Sequence, residues 1–285
     1  MKLVKYNGLL KASLLASAFL IAPRVMDAQL NTLVDGSPTP PGLYVTPTAP
    51  LTNAIQQQLN PGLTNYPDYV AGEAVKAVVS PNGKILAILT AGFNSLFKPY
   101  VVGSPATVDR AASTQFIFLY DVSGPNKSKP VLNQVIQQLN SHVGLVWAPN
   151  SETLYATGGC DDAVYAYSRT GASFVQSARI SLGHAPDGCL ANSANRTGLG
   201  RSVEPNAAGL AISANGKTLV VANNYNDSIS VIDTASATVR YEYNLRPYST
   251  LGAPAGTKGG TFPYSVALKG TTAYMWVATV TVRSS

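Results

Sequence analysis

The chain has 285 residues, with 20 Lys and Arg against 14 Asp and Glu, a net charge of +6, and only 12% charged residues. That thin charge, with no Lys/Arg runs, argues against a nucleic-acid partner, which needs a clustered basic stripe. Together with 24 Gly and 19 Pro, abundant β-branched and Tyr residues point to many short strands joined by turns in one large domain.

The N-terminus reads as a secretory signal. Lys2, Lys5 and Lys11 precede the apolar run Leu14 to Ala22, which is too short to span a bilayer as a resident helix, and Ala28 offers a cleavage point. Removing residues 1–28 takes away four basic residues and one acid and leaves a net charge of +3. No later stretch reads as transmembrane, so the mature chain is expected to be secreted or periplasmic. Residues 29–72, rich in "SPTPPG", "TPTAP" and "NPGLTNYPD", resist regular structure and read as an extended arm over the domain. Within it, "GLYVTPT" is a candidate edge strand.

From residue 73 the chain repeats itself. "VVSPNGKILAILTAG" (78–92), "VWAPNSETLYATGG" (146–159) and "AISANGKTLVVANN" (211–224) align without a gap. Each reads as strand, tight turn, strand, and Asn82-Gly83 and Asn215-Gly216 are turn residues that tolerate positive φ. The "GKT" at 216–218 therefore belongs to a hairpin. A phosphate-binding loop would need Gly at 211, where Ala211 stands. Third strands follow at 114–122, 162–168 and 227–233, and fourth strands near 130–139, 173–182 and 238–245. A fourth unit opens at 263–280. Four antiparallel strands per unit form the blade of a β-propeller, so an all-β fold with about three and a half blades is expected over 73–285.

Several of these motifs, "SPNGK", "LVVANN" and "SISVIDTASATV", resemble the YVTN-repeat (YncE-like) β-propellers. "LNPGLTNYPDYVAGEAV", "GGCDDAVYAY", "PNAAGLAIS", "NDSISVID" and "FPYSVALKG" are similar to the N-terminal propeller of secreted bacterial proteins in which an alkaline-phosphatase-type phosphoesterase domain follows. The resemblance covers about residues 43 to 278 and implies some seven blades when complete. On that ground the chain reads as the front part of a longer propeller, whose open sheet edges call for further blades or a second copy. The phosphoesterase nucleophile and metal ligands belong to the following domain, and none of their motifs occurs here. The resemblance therefore implies no catalytic residue and no cofactor in this chain.

Long connections at 93–113, 183–205 and 247–262 all emerge on one face of a propeller, a binding-surface pattern. Candidate ligand-binding groups there are Asn94, Asp161, Asp162, Asn223, Asn224, Asn226 and Asp227 near the second-to-third strand turns, and Glu73, His142 and Asn206 at or before first strands. For Asp161, Asp162, Asn226 and Asp227 a second reading stands beside ligand contact: turn formers that bond the backbone. His142 and His184 are the only histidines. No G-x-S-x-G elbow accompanies them, and no fixed spacing announces a metal site. Trp147 and Trp276 read as packing residues. Cys160 and Cys189 lie on connections that reach the same face, so a disulfide is expected, closing 29 residues and contributing on the order of 3 kcal/mol. Two functions follow: a non-catalytic binding or scaffold module, or a propeller hydrolase of lactonase type using Glu73, His142 and Asp161.

Overall fold

The computed structural model describes residues 57–92, 94–199, 203–246 and 260–278. The chain divides into two units, Met1–Ile55 and Gln56–Ser285, and all described residues belong to the second. The signal segment, most of the expected arm and the connection 247–259 lie outside them.

Three sheets of four antiparallel strands follow one another along the chain. The first blade is β1 (Ala74–Val79), β2 (Ile85–Thr90), β3 (Gln115–Asp121) and β4 (Val131–Gln138). The second is β5 (Leu145–Trp147), β6 (Thr153–Thr157), β7 (Ala163–Thr170) and β8 (Ser173–Ser181). The third is β9 (Ala207–Ile212), β10 (Thr218–Asn223), β11 (Ser228–Asp233) and β12 (Thr238–Asn244). A fourth sheet pairs β13 (Thr261–Lys269) with β14 (Thr272–Ala278). Each sheet runs in chain order, and β5 touches β1 and β9 while β9 touches β13, so the first strand of each unit lies innermost. This is the meander and radial order expected from the repeats.

Middle strands are apolar on both faces because a blade is sandwiched between neighbours. In β10, Leu219 and Val221 join the layer between the second and third blades, while Val220 packs with Val231 and Val266 between the third and fourth. In β3, Ile117 and Leu119 face the second blade, and Phe116, Phe118 and Tyr120 face the other way. That outer face is covered by Leu59, Leu63 and Tyr69 of the irregular segment before β1. Trp147 is buried as expected, edge-on to Phe174 at 5.3 Å, with its indole N–H donating to the Val78 carbonyl at 3.3 Å. Trp276 departs from expectation: it is 77% exposed, because it points away from the third blade on a face that no described residue covers.

The hairpin turns explain the repeat. Gly83, Ser151 and Gly216 occupy one turn position with φ of 71°, 64° and 73°. A left-handed backbone costs least at Gly. Ser151 takes it in the second blade and is buried there, its hydroxyl accepting the Asn82 amide at 3.0 Å from the neighbouring turn. The "GKT" segment is indeed a hairpin, closed by the Gly216 amide on the Ser213 carbonyl at 2.8 Å.

Close approach of inner strands depends on a missing side chain. A Cβ at Gly209 in β9 would lie 2.6 Å from the Ser265 Cα and 2.6 Å from the Tyr264 carbonyl oxygen of β13. Backbone cannot yield as a flexible side chain does. Gly209→Ala is therefore expected to destabilise the protein by roughly 1–3 kcal/mol, as overpacking does, and to lower its melting temperature by several degrees. An unchanged melting temperature would show that the two strands are not in contact.

Candidate functional site

The second-to-third strand turns and the starts of first strands meet at one end of the blades. The Ala91 amide donates to the Glu73 carbonyl at 3.1 Å, the Ala207 amide to Gly159 at 2.9 Å, and the Asn224 amide to Asn206 at 2.9 Å. Connections 94–113 and 183–199 leave from this end, which makes it the loop-rich face.

The candidate polar groups sit there in different states. Glu73 is exposed, with φ of 52°. Asn94 is buried, its Oδ1 accepting the Gly72 amide at 3.2 Å and its Nδ2 donating to Thr114 O at 3.2 Å and Gln115 Oε1 at 2.8 Å. His142 is half-buried, edge-on to the Tyr264 ring at 5.5 Å, and burial holds its pKa below the ordinary value. Asn206 is half-buried. Asn224 Nδ2 donates to Pro263 O at 3.1 Å, and Asn226 Nδ2 to Leu199 O at 3.0 Å. Asn223 donates to the Ser228 and Ser230 hydroxyls, at 2.9 Å each.

The adjacent acids of "GGCDD" do separate jobs. Asp161 is buried, and its carboxylate accepts the Tyr165 hydroxyl at 2.9 Å and Asn140 Nδ2 at 2.8 Å. Burial first, then the Asp161 charge, push the Tyr165 phenol up to about 12. Asp162, with φ of 53°, accepts the amides of His184 at 2.5 Å and Ala185 at 2.7 Å on one oxygen, and bonds His184 Nδ1 at 2.7 Å with the other. Asp227, with φ of 51°, accepts the Phe262 amide at 2.8 Å and lies 3.9 Å from Arg246.

The expected Cys160–Cys189 disulfide is formed, with Cα atoms 5.0 Å apart. It ties the 183–199 connection to the turn of the second blade.

Sequence reasoning missed the second tether of that connection. His184 is 1% exposed and lies between two carboxylates, Asp162 at Nδ1 and Glu242 of β12 at Nε2, 2.8 Å away. The Ser228 hydroxyl also bonds Glu242. Since both partners accept, both ring nitrogens donate and the ring is an imidazolium. Burial alone would lower the His184 pKa, but hydrogen bonds and charge from Asp162 and Glu242 outweigh it and push it up to about 9. For Glu242, burial acts upward and the bonds from His184 and Ser228 act downward more strongly, so its pKa lies below the ordinary value. The group is not a serine-type relay, because a carboxylate separates hydroxyl from imidazole and no ring nitrogen is left to take a proton. It joins the second blade, the 183–199 connection and the third blade. A sequence separation of 58 conceals the His184–Glu242 pair.

Large apolar side chains share this face. Residues 94–113 form a finger, closed by Lys98 and Thr107 and by Asp109 and Leu96, each through a 2.8 Å backbone bond. Its tip exposes Tyr100 by 73% and Val102 by 88%. Leu190 of the second connection is 84% exposed, and Tyr225 and Phe262 stack edge-on at 6.4 Å, both partly exposed.

Solved structures similar to the chain include the periplasmic gluconolactonase PpgL of Pseudomonas aeruginosa, at 18% identity and a TM-score of 0.43, covering 76% of this chain and 50% of that one. Hydrazine synthase of Kuenenia stuttgartiensis matches at 16% identity and 0.41, covering 72% and 57%. The β-propeller domain of Myceliophteria thermophila Cps50 (Swd1) matches at 8% and 0.38, covering 67% and 43%. The successive four-stranded meanders, with their first strands side by side, make the fold a β-propeller. The chain spans about half the length of these structures. No family model matches the sequence, and no curated protein matches it.

The buried ion group makes the propeller's stability depend on pH. His184 has a folded pKa above its unfolded 6.5, so its contribution is complete below about pH 6.5 and is lost as pH rises through about 9. Glu242, shifted down from 4.5, contributes above that value and loses its part on acidification. Thermal melts should therefore show the greatest contribution of the ion group between about pH 4.5 and 6.5, and a loss of up to about 3 kcal/mol from deprotonation of His184 by pH 10. His184→Ala should flatten the alkaline limb. An alkaline limb identical in the two proteins would contradict the assignment.

Proposed function

We propose that the chain is a secreted, non-catalytic β-propeller module whose loop-rich face is a binding or scaffold surface. The observation that carries this is the division of labour on that face. Most of the polar candidates there, Asn94, Asp161, Asp162, Asn224, Asn226 and Asp227, spend hydrogen bonds on fixing turns and connections, while large apolar side chains of four blades stand in solvent. Large apolar side chains left in solvent side by side, as Tyr225 and Phe262 are, mark interaction sites.

Resemblance to YVTN-type propellers that precede a phosphoesterase domain supports a further part of the reading: the chain serves as the substrate-side or partner-side module of a phosphoesterase-associated protein. Residues 1–28 act as an export signal and 29–72 as an arm. A disulfide fits an oxidising compartment, and among the described residues no helix is long and apolar enough to cross a membrane. The occupant of the face is a protein or another ligand, with further blades or a second copy covering the edge of β14 that the described residues leave unpaired.

One observation favours the hydrolase alternative. His142 is half-buried on this face, and that burial lowers its pKa, which favours the neutral imidazole that a general base needs. Glu73 and Asp161 would accompany it. Purified mature protein assayed on aliphatic lactones and on a phosphodiester should show no turnover distinguishable from its His142→Ala variant. Hydrolysis at ordinary enzymatic rates of about 1 per second or more, abolished by His142→Ala, would replace the binding reading with the catalytic one.

A further inference from the structure

Cys160, Asp161 and Cys189 bring one donor atom each within 4.8 Å of one another at the turn of the second blade. While the sulfurs are bonded together they carry no charge to offer a cation. We propose that reduction of this disulfide converts the three side chains into a site for a borderline-soft divalent metal ion, Zn2+ or Co2+, with water as the fourth ligand. The inference stands apart from the binding-module reading, since it concerns only this turn.

The geometry fits a tetrahedral centre. Zinc–sulfur and zinc–oxygen bonds of about 2.3 and 2.0 Å, opened at the tetrahedral angle, set S and O about 3.5 Å apart. Asp161 Oδ1 lies 3.5 Å from Cys189 Sγ. Two thiolates on one such ion stand about 3.8 Å apart, a separation that side-chain rotation reaches from Cα atoms 5.0 Å apart.

The surroundings orient the ligands. Asp161 is buried and held by the Tyr165 hydroxyl and Asn140 Nδ2, the kind of support that fixes a metal-binding carboxylate. Asn140 Nδ2 also lies 3.4 Å from Cys189 Sγ, and the Arg179 guanidinium donates to the Asp161 carbonyl at 2.6 Å. Asn140 thus sits beside both the carboxylate and the Cys189 sulfur. Both cysteines are half-buried, which leaves a path for the ion and a water. Two sulfurs and one carboxylate select zinc or cobalt over magnesium or calcium, which want oxygen alone.

The chemistry balances with a phosphine as reductant. The phosphine attacks one sulfur and breaks the S–S bond, water then supplies the oxygen of the phosphine oxide, and the two hydrogens of that water end on the two sulfurs. Metal binding releases both protons to solvent. The ion then bridges Cys160 and Cys189, so the 183–199 connection stays tied to the blade under reducing conditions.

The test uses the whole protein and Co2+ as the probe, after reduction by a water-soluble phosphine and removal of the excess. Reduced protein should bind one Co2+ per chain, with a sulfur-to-cobalt charge-transfer band and tetrahedral d–d bands, and excess Zn2+ should bleach both. Oxidised protein should show neither band. Asp161→Asn should weaken Co2+ binding at least about tenfold, the loss typical of disturbed metal-site ligation. Reduced wild-type protein that keeps its circular dichroism yet develops no such bands would overturn the proposal. So would equal Co2+ binding by Cys160→Ser. If Cys160→Ser does not fold, the comparison of oxidised with reduced wild type decides alone.

Discussion

Asp162 is the residue on which the arrangement of the loop-rich face turns. Standing just before β7 with positive φ, it accepts the Leu182 amide on its carbonyl at 2.9 Å as the chain leaves β8. Its carboxylate then takes two amides and the imidazole of the next residues, His184 and Ala185. One side chain thus sets both the exit of the fourth strand and the path to the next blade. The third blade repeats the device: the Asp227 carbonyl accepts the Leu245 amide at 2.9 Å, and its carboxylate accepts the amide of Phe262. Short polar side chains at turns bond nearby backbone in this way. Here the bond reaches across a blade junction.

What hangs from Asp162 is an ion group of unusual balance. An isolated buried charge is costly, and a buried pair is only worthwhile when its hydrogen bonds are complete. His184 has both nitrogens bonded, Asp162 has both oxygens bonded, and Glu242 also holds Ser228. Two carboxylates to one imidazolium keep His184 charged, which is the opposite of a poised base. The disulfide a few residues away adds a covalent tether to the same connection. Order in this region comes from polar and covalent links, whereas the blades are held by apolar layers between sheets.

Much of the fold was legible because its information is local. Asn-Gly pairs mark two hairpins, and the ungapped strand–turn–strand repeat marks the blades. Ser151 shows the limit: the third turn lacks Gly, yet keeps the geometry through a bond from a neighbouring blade. The disulfide was legible too, since chain connectivity puts both cysteines on one face. His184 with Glu242 was not, since the pair forms only when two blades dock and no spacing records it. Trp276 was misread for a related reason. Its burial depends on what covers the outer face of β14, and the described residues leave that face open.

The Asp162–His184–Glu242 group pre-orders the loop-rich face. Amide hydrogen exchange on the disulfide-intact protein at neutral pH measures this ordering most directly. The amides of His184 and Ala185, bonded to Asp162, and of Thr197, bonded to the His184 carbonyl at 2.9 Å, should be protected like those of neighbouring strands. Protection of the 183–199 segment should drop in Asp162→Asn while β6 and β7 stay protected. Exchange of these three amides at unfolded rates in the wild-type protein would contradict the account.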